Sequence, residues 1–181
     1  MKELIQAINF TRDYGIKKVV IVGGADTYLI TEMLKENKIS VILARTHSLP
    51  GRADDDIALP YKLPALLQEA GVLFCLNYEG DMEVMGTRNL PFTAGTAAAY
   101  GLTKEQALMA ITLNTARILG IDKTVGSLEV NKDATLFVST GDALDMLTNN
   151  VELAFIRGKK IGLDDHQKKL TRKYSAKYGI E

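Results

Sequence analysis

The sequence predicts an α/β fold in which parallel strands alternate with helices. Three short, continuous apolar runs have the composition of strands that are buried on both faces, and they lie at residues 19–22, 40–44 and 72–76. Segments with helical signals precede or separate these runs, at residues 1–15, 26–36 and 63–70. Because strands that alternate with helices are joined by right-handed crossovers, we expect one parallel sheet covered by helices.

Each predicted helix in this first part has its own signal. Leu4 and Ile8 lie on one face of the first helix, and Gly15 follows as its terminator. Asp26 is a suitable N-cap for the second helix. The third helix, at residues 63–70, is short and ends at a glycine. These signals place one helix before each strand.

The second part of the chain begins with a polar loop at residues 77–89 and continues with an alanine-rich helix. Thr103 and Gln106 form a capping box for a helix that continues to Leu119 and ends at Gly120. Two strands, a hairpin turn and a charged terminal helix are then predicted, at residues 136–139, 153–156, 157–160 and 164–178.

The loop at residues 45–60 is unusually long for a compact domain. It contains Pro50, Gly51, Pro60 and three successive aspartates at 54–56. Loops of this length often carry functional residues. The aspartate run is a candidate cation site, although a solvated acidic loop is the better interpretation.

Charge and composition limit the partners of the chain. The 22 basic and 22 acidic side chains cancel, so neither nucleic acid nor a membrane is expected as a partner. Cys75, the one cysteine, lies in an apolar run and is predicted to be a buried thiol. No signal is visible at the start of the chain, so the localisation stays open, with the cytoplasm as default and a signal on a missing N-terminal segment as the alternative.

Two consecutive motifs identify a family. Residues 112–120 read TLNTARILG, and residues 125–136 read VGSLEVNKDATL. Together with GLTKEQAL at 101–108 and the hairpin at 151–161, they resemble the C-terminal signature of the amidohydrolase superfamily, and of its imidazolonepropionase-like members in particular. Thr115, Asn131 and Thr135 depart from the proline, glycine and aspartate that are usual in that signature.

The resemblance implies a particular architecture. It implies that residues 1–121 are the last three strands and helices of a TIM-type (β/α)8 barrel of a metal-dependent hydrolase. Residues 122–162 would be strands of a small C-terminal β-sandwich, and residues 163–181 a charged helix or tail. The first five strands of the barrel would then lie outside this chain, whose expected partners are that missing N-terminal half or a second copy of itself.

The resemblance also implies where a catalytic site would lie. The family typically binds zinc or another divalent metal with histidines and an aspartate at the carboxyl ends of barrel strands. On the register above, the histidine of strand 6 is replaced by Gly23, and the aspartate of strand 8 falls near Glu79, with Asn77 and Asp81 as alternatives. We therefore predict no metal ligand and no cofactor in this chain, and Glu79 as the candidate proton shuttle.

Further rim residues follow the second strand. Arg45 and His47 are predicted at the substrate rim, beside Asn77 and Asp81. A loop histidine without a metal role is the favoured interpretation of His47, and His166 is expected to be solvent-exposed. The pair of glycines at 23–24 does not have the spacing of a phosphate-binding loop, and Thr46 and Ser48 lack the context of a nucleophile.

Three functions stay open at this point. The first is a fragment of a hydrolase that acts on carbon–nitrogen bonds of small molecules, including cyclic amides, and is inactive as an isolated chain. The second is a freestanding, non-catalytic binding or assembly module of the same descent. The third, a flavodoxin-like or nucleotide-binding domain, lacks a supporting phosphate loop.

Overall fold

The computed structural model describes residues 1–80 and 83–180. The chain forms two compact units, Met1–Lys132 with Leu144–Leu147, and Asp133–Ala143 with Thr148–Glu181. The predicted boundaries at residues 121 and 162 stay predictions. None of the helices in the described part of the chain has the length and apolar character to cross a membrane.

The first unit contains one parallel sheet and seven helices among its described residues. The strands are β1 (Val20–Gly23), β2 (Ser40–Leu43) and β3 (Phe74–Leu76), in that order across the sheet. The helices are α1 (Lys2–Asp13), α2 (Thr31–Glu36), α3 (Leu59–Glu69), α4 (Glu83–Gly86), α5 (Leu90–Ala99), α6 (Lys104–Ile111) and α7 (Leu113–Leu119). The predicted α/β order with parallel strands is thus confirmed.

The core of this unit lies between the sheet and the helices. Val41, Leu43 and Phe74 of the sheet are at most 1% exposed, as are Leu34 of α2 and Leu67 of α3. Burial of such side chains contributes about 1.5 to 3 kcal/mol each relative to leaving them exposed. The thiol of Cys75 is also buried, as predicted, and burial raises its pKa.

β1 is the most exposed strand of the parallel sheet. Val22 is 62% exposed and Val20 39%, whereas every residue of β3 is buried. β1 pairs on one side only, with β2, and is therefore an edge strand in the described chain. Two β-branched side chains are left in water on this strand.

Two predicted helices are interrupted. The helix expected after Asp26 is a 3₁₀ turn at Thr27–Leu29 followed by α2, and the Asp26 side chain forms ion pairs instead of a cap hydrogen bond. The helix expected to run through Thr112 is broken there into α6 and α7, because Thr112 has a non-helical backbone with φ −128° and ψ −89°. The capping box of Thr103 and Gln106 is present as predicted.

Other boundaries also differ from the prediction, among them the start of the strand predicted at 153–156, which is Val151, and the start of the terminal helix, which is His166. α3 begins four residues earlier than predicted, at Leu59, with Pro60 in its first turn, where the missing N–H of proline is tolerated. The loop predicted at 77–89 contains α4 and a 3₁₀ turn at Thr87–Asn89. β3 begins at Phe74 and so is shorter than the predicted run.

The second unit is an antiparallel sheet followed by a helix. Its strands β4 (Leu136–Ser139), β5 (Val151–Ile156) and β6 (Lys159–Lys160) lie in sequential order, and α8 (His166–Tyr178) follows. The hairpin turn between β5 and β6 forms as predicted, with Arg157 and Gly158 at positive φ. Asp165 caps α8 through the backbone N–H of Lys168.

Candidate functional site

The carboxyl ends of the three parallel strands meet at one edge of the sheet. The register pairs Gly23 with Leu43 and Leu43 with Leu76, so the segments that follow these residues begin side by side. This edge carries four of the five predicted site residues, at positions 45, 47, 77 and 79. The fifth, Asp81, lies outside the described residues.

The end of β1 offers backbone and no functional side chain. Gly23 has φ +91° and Gly24 has φ +67°, conformations that residues with a side chain rarely adopt. A Cβ atom at Gly23 would meet no atom within 4 Å, whereas one at Gly24 would lie 2.7 Å from Cγ2 of the buried Thr27. Glycine is therefore favoured at position 23 by the backbone conformation alone. At position 24 it is favoured both by the backbone conformation and by close packing against Thr27.

The end of β2 carries a cation that has no acidic partner among the described residues. The guanidinium of Arg45 lies 5.5 Å from the centre of the Tyr78 ring. One of its terminal nitrogens, Nη1, would lie 3.5 Å from a Cβ at Gly80, so the absent side chain leaves it room. Nε of Arg45 is buried without a hydrogen-bond partner. The positive charge of Arg45 is thus held at the rim by an aromatic ring.

Thr46 follows Arg45 and is 3% exposed. Its Oγ1 is buried and has no hydrogen-bond partner. Unsatisfied buried polar atoms are uncommon in folded proteins, because each gives up its hydrogen bonds to water. Two consecutive residues at one strand end therefore share this unusual property.

His47 is the third polar residue in this row. Its Nε2 lies 2.6 Å from Oγ1 of Thr96, and this hydroxyl is 3.1 Å from the carbonyl oxygen of Phe92. Because the hydroxyl has a single hydrogen, Thr96 donates either to Nε2 of His47 or to the carbonyl of Phe92, and the tautomer of His47 decides which. Partial burial and the nearby charge of Arg45 hold the pKa of His47 below its usual value.

The end of β3 places an amide, a phenol and a carboxylate in sequence. Nδ2 of Asn77 donates to Oε2 of Glu79 at 3.3 Å, and the carbonyl oxygen of the same amide accepts from the backbone N–H of Tyr78 at 2.9 Å. A hydrogen bond from Asn89, together with the guanidinium of Arg45, lowers the pKa of Tyr78. Asn77 therefore orients Glu79, and Tyr78 connects this strand end to that of β2.

A cavity of about 420 Å³ lies between the ends of β1 and β2. Arg45 and Thr46 line it, as do the two glycines at 23–24. Its other charged groups are already paired, because Nη2 of Arg52 lies 3.1 Å from Asp26 and 3.2 Å from Asp55. Asp26 also forms an ion pair with the amino group of Met1, whose nitrogen lies 2.5 Å from Oδ2 of Asp26.

The aspartates at 54–56 have separate environments. Asp55 is bound to Arg52, Asp56 is bound to Lys62, and Asp54 is exposed. The pKa of Asp56 is lowered by its ion pair with Lys62 and by the backbone N–H of Ala58. The three carboxylates are divided between structural pairs and solvent, and they do not converge on one point.

The described residues of this edge do not fit a metal centre. Within residues 1–80 and 83–180, no group of three histidine, cysteine, aspartate or glutamate side chains is placed to hold a metal ion. Gly23 contributes no ligand, and its φ of +91° disfavours any residue that would. His166 lies exposed at the start of α8 in the other unit, as predicted.

Sequence reasoning did not assign a role to Thr46 or Tyr78. Thr46 lacks the sequence context of a nucleophile, and its burial without a partner is visible only in the three-dimensional structure. Tyr78 lies between Asn77 and Glu79, so its position after a strand end was a usable signal. Thr96 belongs to α5 and is distant from the strand ends in sequence.

Comparison with known proteins identifies a family. The sequence profile of the amidohydrolase family matches residues 29–161. Amidohydrolase tasK from Hapsidospora irregularis is 34% identical over 116 residues, which are 59% of this chain and 11% of that protein. Imidazolonepropionase from Shouchella clausii is 32% identical over 108 residues, 59% of this chain and 23% of that protein.

Solved structures give the same result for the fold. An amidohydrolase from Thermotoga maritima superposes with a TM-score of 0.75 at 29% identity, over 89% of this chain and 41% of that one. An adenosine deaminase from Xanthomonas campestris with bound zinc superposes with a TM-score of 0.61 at 20% identity, over 96% and 45%. This chain spans less than half the length of each of these relatives.

The profile match covers most of the chain and includes the signature at residues 101–161. The predicted resemblance is therefore confirmed, and the α/β fold with its parallel sheet is related to the TIM barrel. The chain belongs to the amidohydrolase family.

Proposed function

We propose that this chain is the C-terminal part of an amidohydrolase-type hydrolase that acts on carbon–nitrogen bonds other than peptide bonds, including cyclic amides. The family match over residues 29–161 carries the proposal. The similarity to an imidazolonepropionase supports the class of bond. The isolated chain is proposed to be inactive, since it spans only 41% and 45% of two solved relatives.

The proposed architecture is the last three strands of a (β/α)8 barrel and part of a small β-sandwich. The strand order β1-β2-β3, with parallel pairing throughout, is consistent with consecutive barrel strands. In this architecture β1 is the sixth strand of the barrel. Its edge, with Val20 and Val22 in water, is where the fifth strand of the barrel would pair. The partner proposed for this edge is the N-terminal half of the barrel, with a second copy of this chain as the alternative.

The proposed roles follow the geometry of the rim. Glu79 is the candidate proton shuttle, because it lies at the end of β3 and Asn77 holds its carboxylate. Arg45, His47, Asn77 and Asp81 are proposed to contact the small-molecule substrate. The family's divalent metal would need ligands from outside this chain, so no step is assigned to a metal here.

Turnover measurements test this proposal. The chain alone and a longer protein that also contains an N-terminal barrel half are compared on cyclic and linear amides, including hydantoin and dihydrouracil. We expect turnover from the longer protein alone. Glu79→Gln in that protein should reduce kcat by about 100-fold, a typical contribution of general acid–base catalysis. Glu36→Gln, an exposed change on α2, should leave kcat unchanged.

The alternative function is a non-catalytic binding or assembly module. The observation in its favour is the end of β1, where two glycines at positive φ replace any functional side chain. This alternative predicts no turnover with or without an N-terminal barrel half, and no stoichiometric zinc by elemental analysis. Turnover that Glu79→Gln abolishes would exclude it.

A further inference from the structure

The terminal helix α8 is exposed along its whole length. None of its side chains is buried, and only Ser175 is partly covered. Residues 166–178 carry five lysine and arginine side chains and no aspartate or glutamate, so the helix has a charge of +5. The rest of the sequence has 17 basic and 22 acidic side chains, which is a charge of −5. The zero net charge of the whole chain, from which no nucleic-acid partner is expected, averages over this separation.

Three lysines follow one side of α8 and are called the lysine row here: Lys169, Lys173 and Lys177. They are four residues apart, which corresponds to about 6 Å between successive side chains along the helix axis. All three are exposed, and none forms an ion pair with another described residue. Arg172 differs, because its Nη2 lies 2.6 and 2.7 Å from the two carboxylate oxygens of Asp164. The lysine row therefore offers three positive charges to an external anion.

A second row, which contains two tyrosines, lies beside the lysine row. Leu170, Tyr174 and Tyr178 are also four residues apart, and they are 37%, 45% and 64% exposed. The two tyrosine rings are nearly parallel, with 16° between their planes and 6.4 Å between their centres. Nζ of Lys173 lies 5.8 Å from the centre of the Tyr174 ring, and Nζ of Lys177 lies 5.2 Å from that of Tyr178. Each exposed ring thus has a positive charge beside it.

The two rows together discriminate between anionic partners. An acidic peptide would need the charges alone. A membrane surface would need a larger apolar face than one leucine and two tyrosines, because the strength of membrane binding scales with the apolar area that is buried. A single strand of nucleic acid uses both rows, because its phosphates pair with cations and its unpaired bases stack on aromatic rings. In a duplex the faces of the bases are covered by their neighbours, so the rings would have no partner.

We propose that α8 binds single-stranded nucleic acid, with the lysine row against phosphates and with Tyr174 and Tyr178 against two bases. Contacts to backbone charge and to base faces tolerate any base and either sugar, so RNA and DNA are both expected ligands. The inference goes beyond the proposed hydrolysis and rests on α8 alone. Oligonucleotide binding and turnover can therefore each be present without the other.

Fluorescence anisotropy of labelled oligonucleotides with the full chain tests the inference. Oligo(U) and oligo(dT) of about 12 nucleotides serve as single strands, and a DNA duplex of the same length is the comparison. We expect both single strands to bind at least about fivefold more tightly than the duplex, because only they can stack on the rings. Three neutralised phosphates predict a slope of about −2 for log K against log salt concentration. Binding should therefore weaken about 20-fold between about 50 and 200 mM salt.

Changes at the tyrosines separate stacking from apolar contact. Tyr174→Leu with Tyr178→Leu should weaken single-strand binding at least about tenfold, because two stacked bases lose their rings. Tyr174→Phe with Tyr178→Phe keeps both rings and should bind within about twofold of the parent. Tyr14→Leu is the control, since it removes a ring on α1 that is 74% exposed, and it should leave binding unchanged.

Changes at the lysine row test the phosphate contacts. Lys173→Gln with Lys177→Gln should reduce the salt slope to about −0.7, because one phosphate contact of three remains. Lys17→Gln with Lys18→Gln removes the same charge from two exposed lysines outside α8 and should leave the slope unchanged. Leucine and glutamine are good helix formers, and circular dichroism establishes that each variant is folded.

Several results would overturn the proposal. These are no binding of the single strands at low salt, duplex binding at least as tight as single-strand binding, full affinity in the leucine double variant, or an unchanged salt slope in the variant that lacks Lys173 and Lys177. Sedimentation with phosphatidylserine vesicles adds a fifth. Vesicle binding that the leucine double variant retains, without oligonucleotide binding, would make α8 a membrane-surface helix instead.

Discussion

The carboxyl ends of β1 and β2 are neighbours in the sheet but differ in what they present. β1 ends in two glycines with φ +91° and +67°, which contribute backbone only. The segment after β2 carries Arg45, Thr46 and His47, which contribute a cation, a buried hydroxyl and an imidazole. The same strand-end position therefore presents backbone alone on one strand and polar side chains on the next.

The largest expected effect concerns Gly24, which directly follows β1. Gly24→Ala should lower the free energy of unfolding by about 3 kcal/mol, because a left-handed backbone and a close contact with Thr27 are both unfavourable. Gly15→Ala is the matched control, since Gly15 has φ +66° and open space around it. Urea denaturation of both variants measures the difference, and equal losses would show that packing against Thr27 contributes nothing.

The next effect concerns the adjacent glycine. Gly23→His should lower the free energy of unfolding by about 1 to 2 kcal/mol, because its backbone conformation disfavours a side chain although the space around it is open. Urea denaturation again gives the value, with Gly15→His as control. A variant as stable as the parent would mean that φ at Gly23 adapts without strain.

The third prediction concerns the buried hydroxyl of Thr46, which follows β2. Thr46→Val should leave stability unchanged or raise it by up to about 1 kcal/mol, because the change removes a buried hydroxyl that has no partner. Thr93→Val is the control, since the Thr93 hydroxyl is equally buried but donates to the carbonyl of Leu90 at 2.7 Å. That variant should lose about 1 kcal/mol. If thermal unfolding shows the same loss for both, the Thr46 hydroxyl has a partner.

The smallest effect is electrostatic. Arg45→Met should raise the pKa of His47, since the charge of Arg45 is one of two causes that lower it. NMR titration of the histidine ring signals measures the change, with His166 as a reference in the same spectra. An unchanged pKa would mean that burial alone sets the titration of His47.

The lowered pKa of His47 also makes the stability of the chain depend on pH. A histidine whose pKa is lower in the folded than in the unfolded state binds fewer protons when folded. Its contribution to stability is therefore present above the unfolded pKa of about 6.5 and is lost as the pH falls through the folded pKa. In Arg45→Met this loss should be smaller.

Periodicity and capping signals predicted most of the fold. The three parallel strands, the capping box at Thr103 and the hairpin at Arg157 were all found at or near their predicted positions. At Asp26 a local preference lost to tertiary contacts. Asp26 has the intrinsic preference of an N-cap but forms ion pairs with Arg52 and Met1 instead.

The candidate site was predictable in position and less so in detail. The rule that functional residues follow barrel strands placed Arg45, His47, Asn77 and Glu79 at one edge. It could not show that Thr96 meets His47, because that contact depends on how α5 packs. The roles of these residues, and that of Asp81, stay predictions.

The backbone at Gly23 has a consequence for how this chain can change over evolutionary time. A glycine allows the chain to settle into a conformation that residues with side chains avoid. Histidine at this position would place an imidazole on a backbone that disfavours it. A metal ligand here would therefore require a second, compensating change in the turn after β1, so one substitution alone would not supply it.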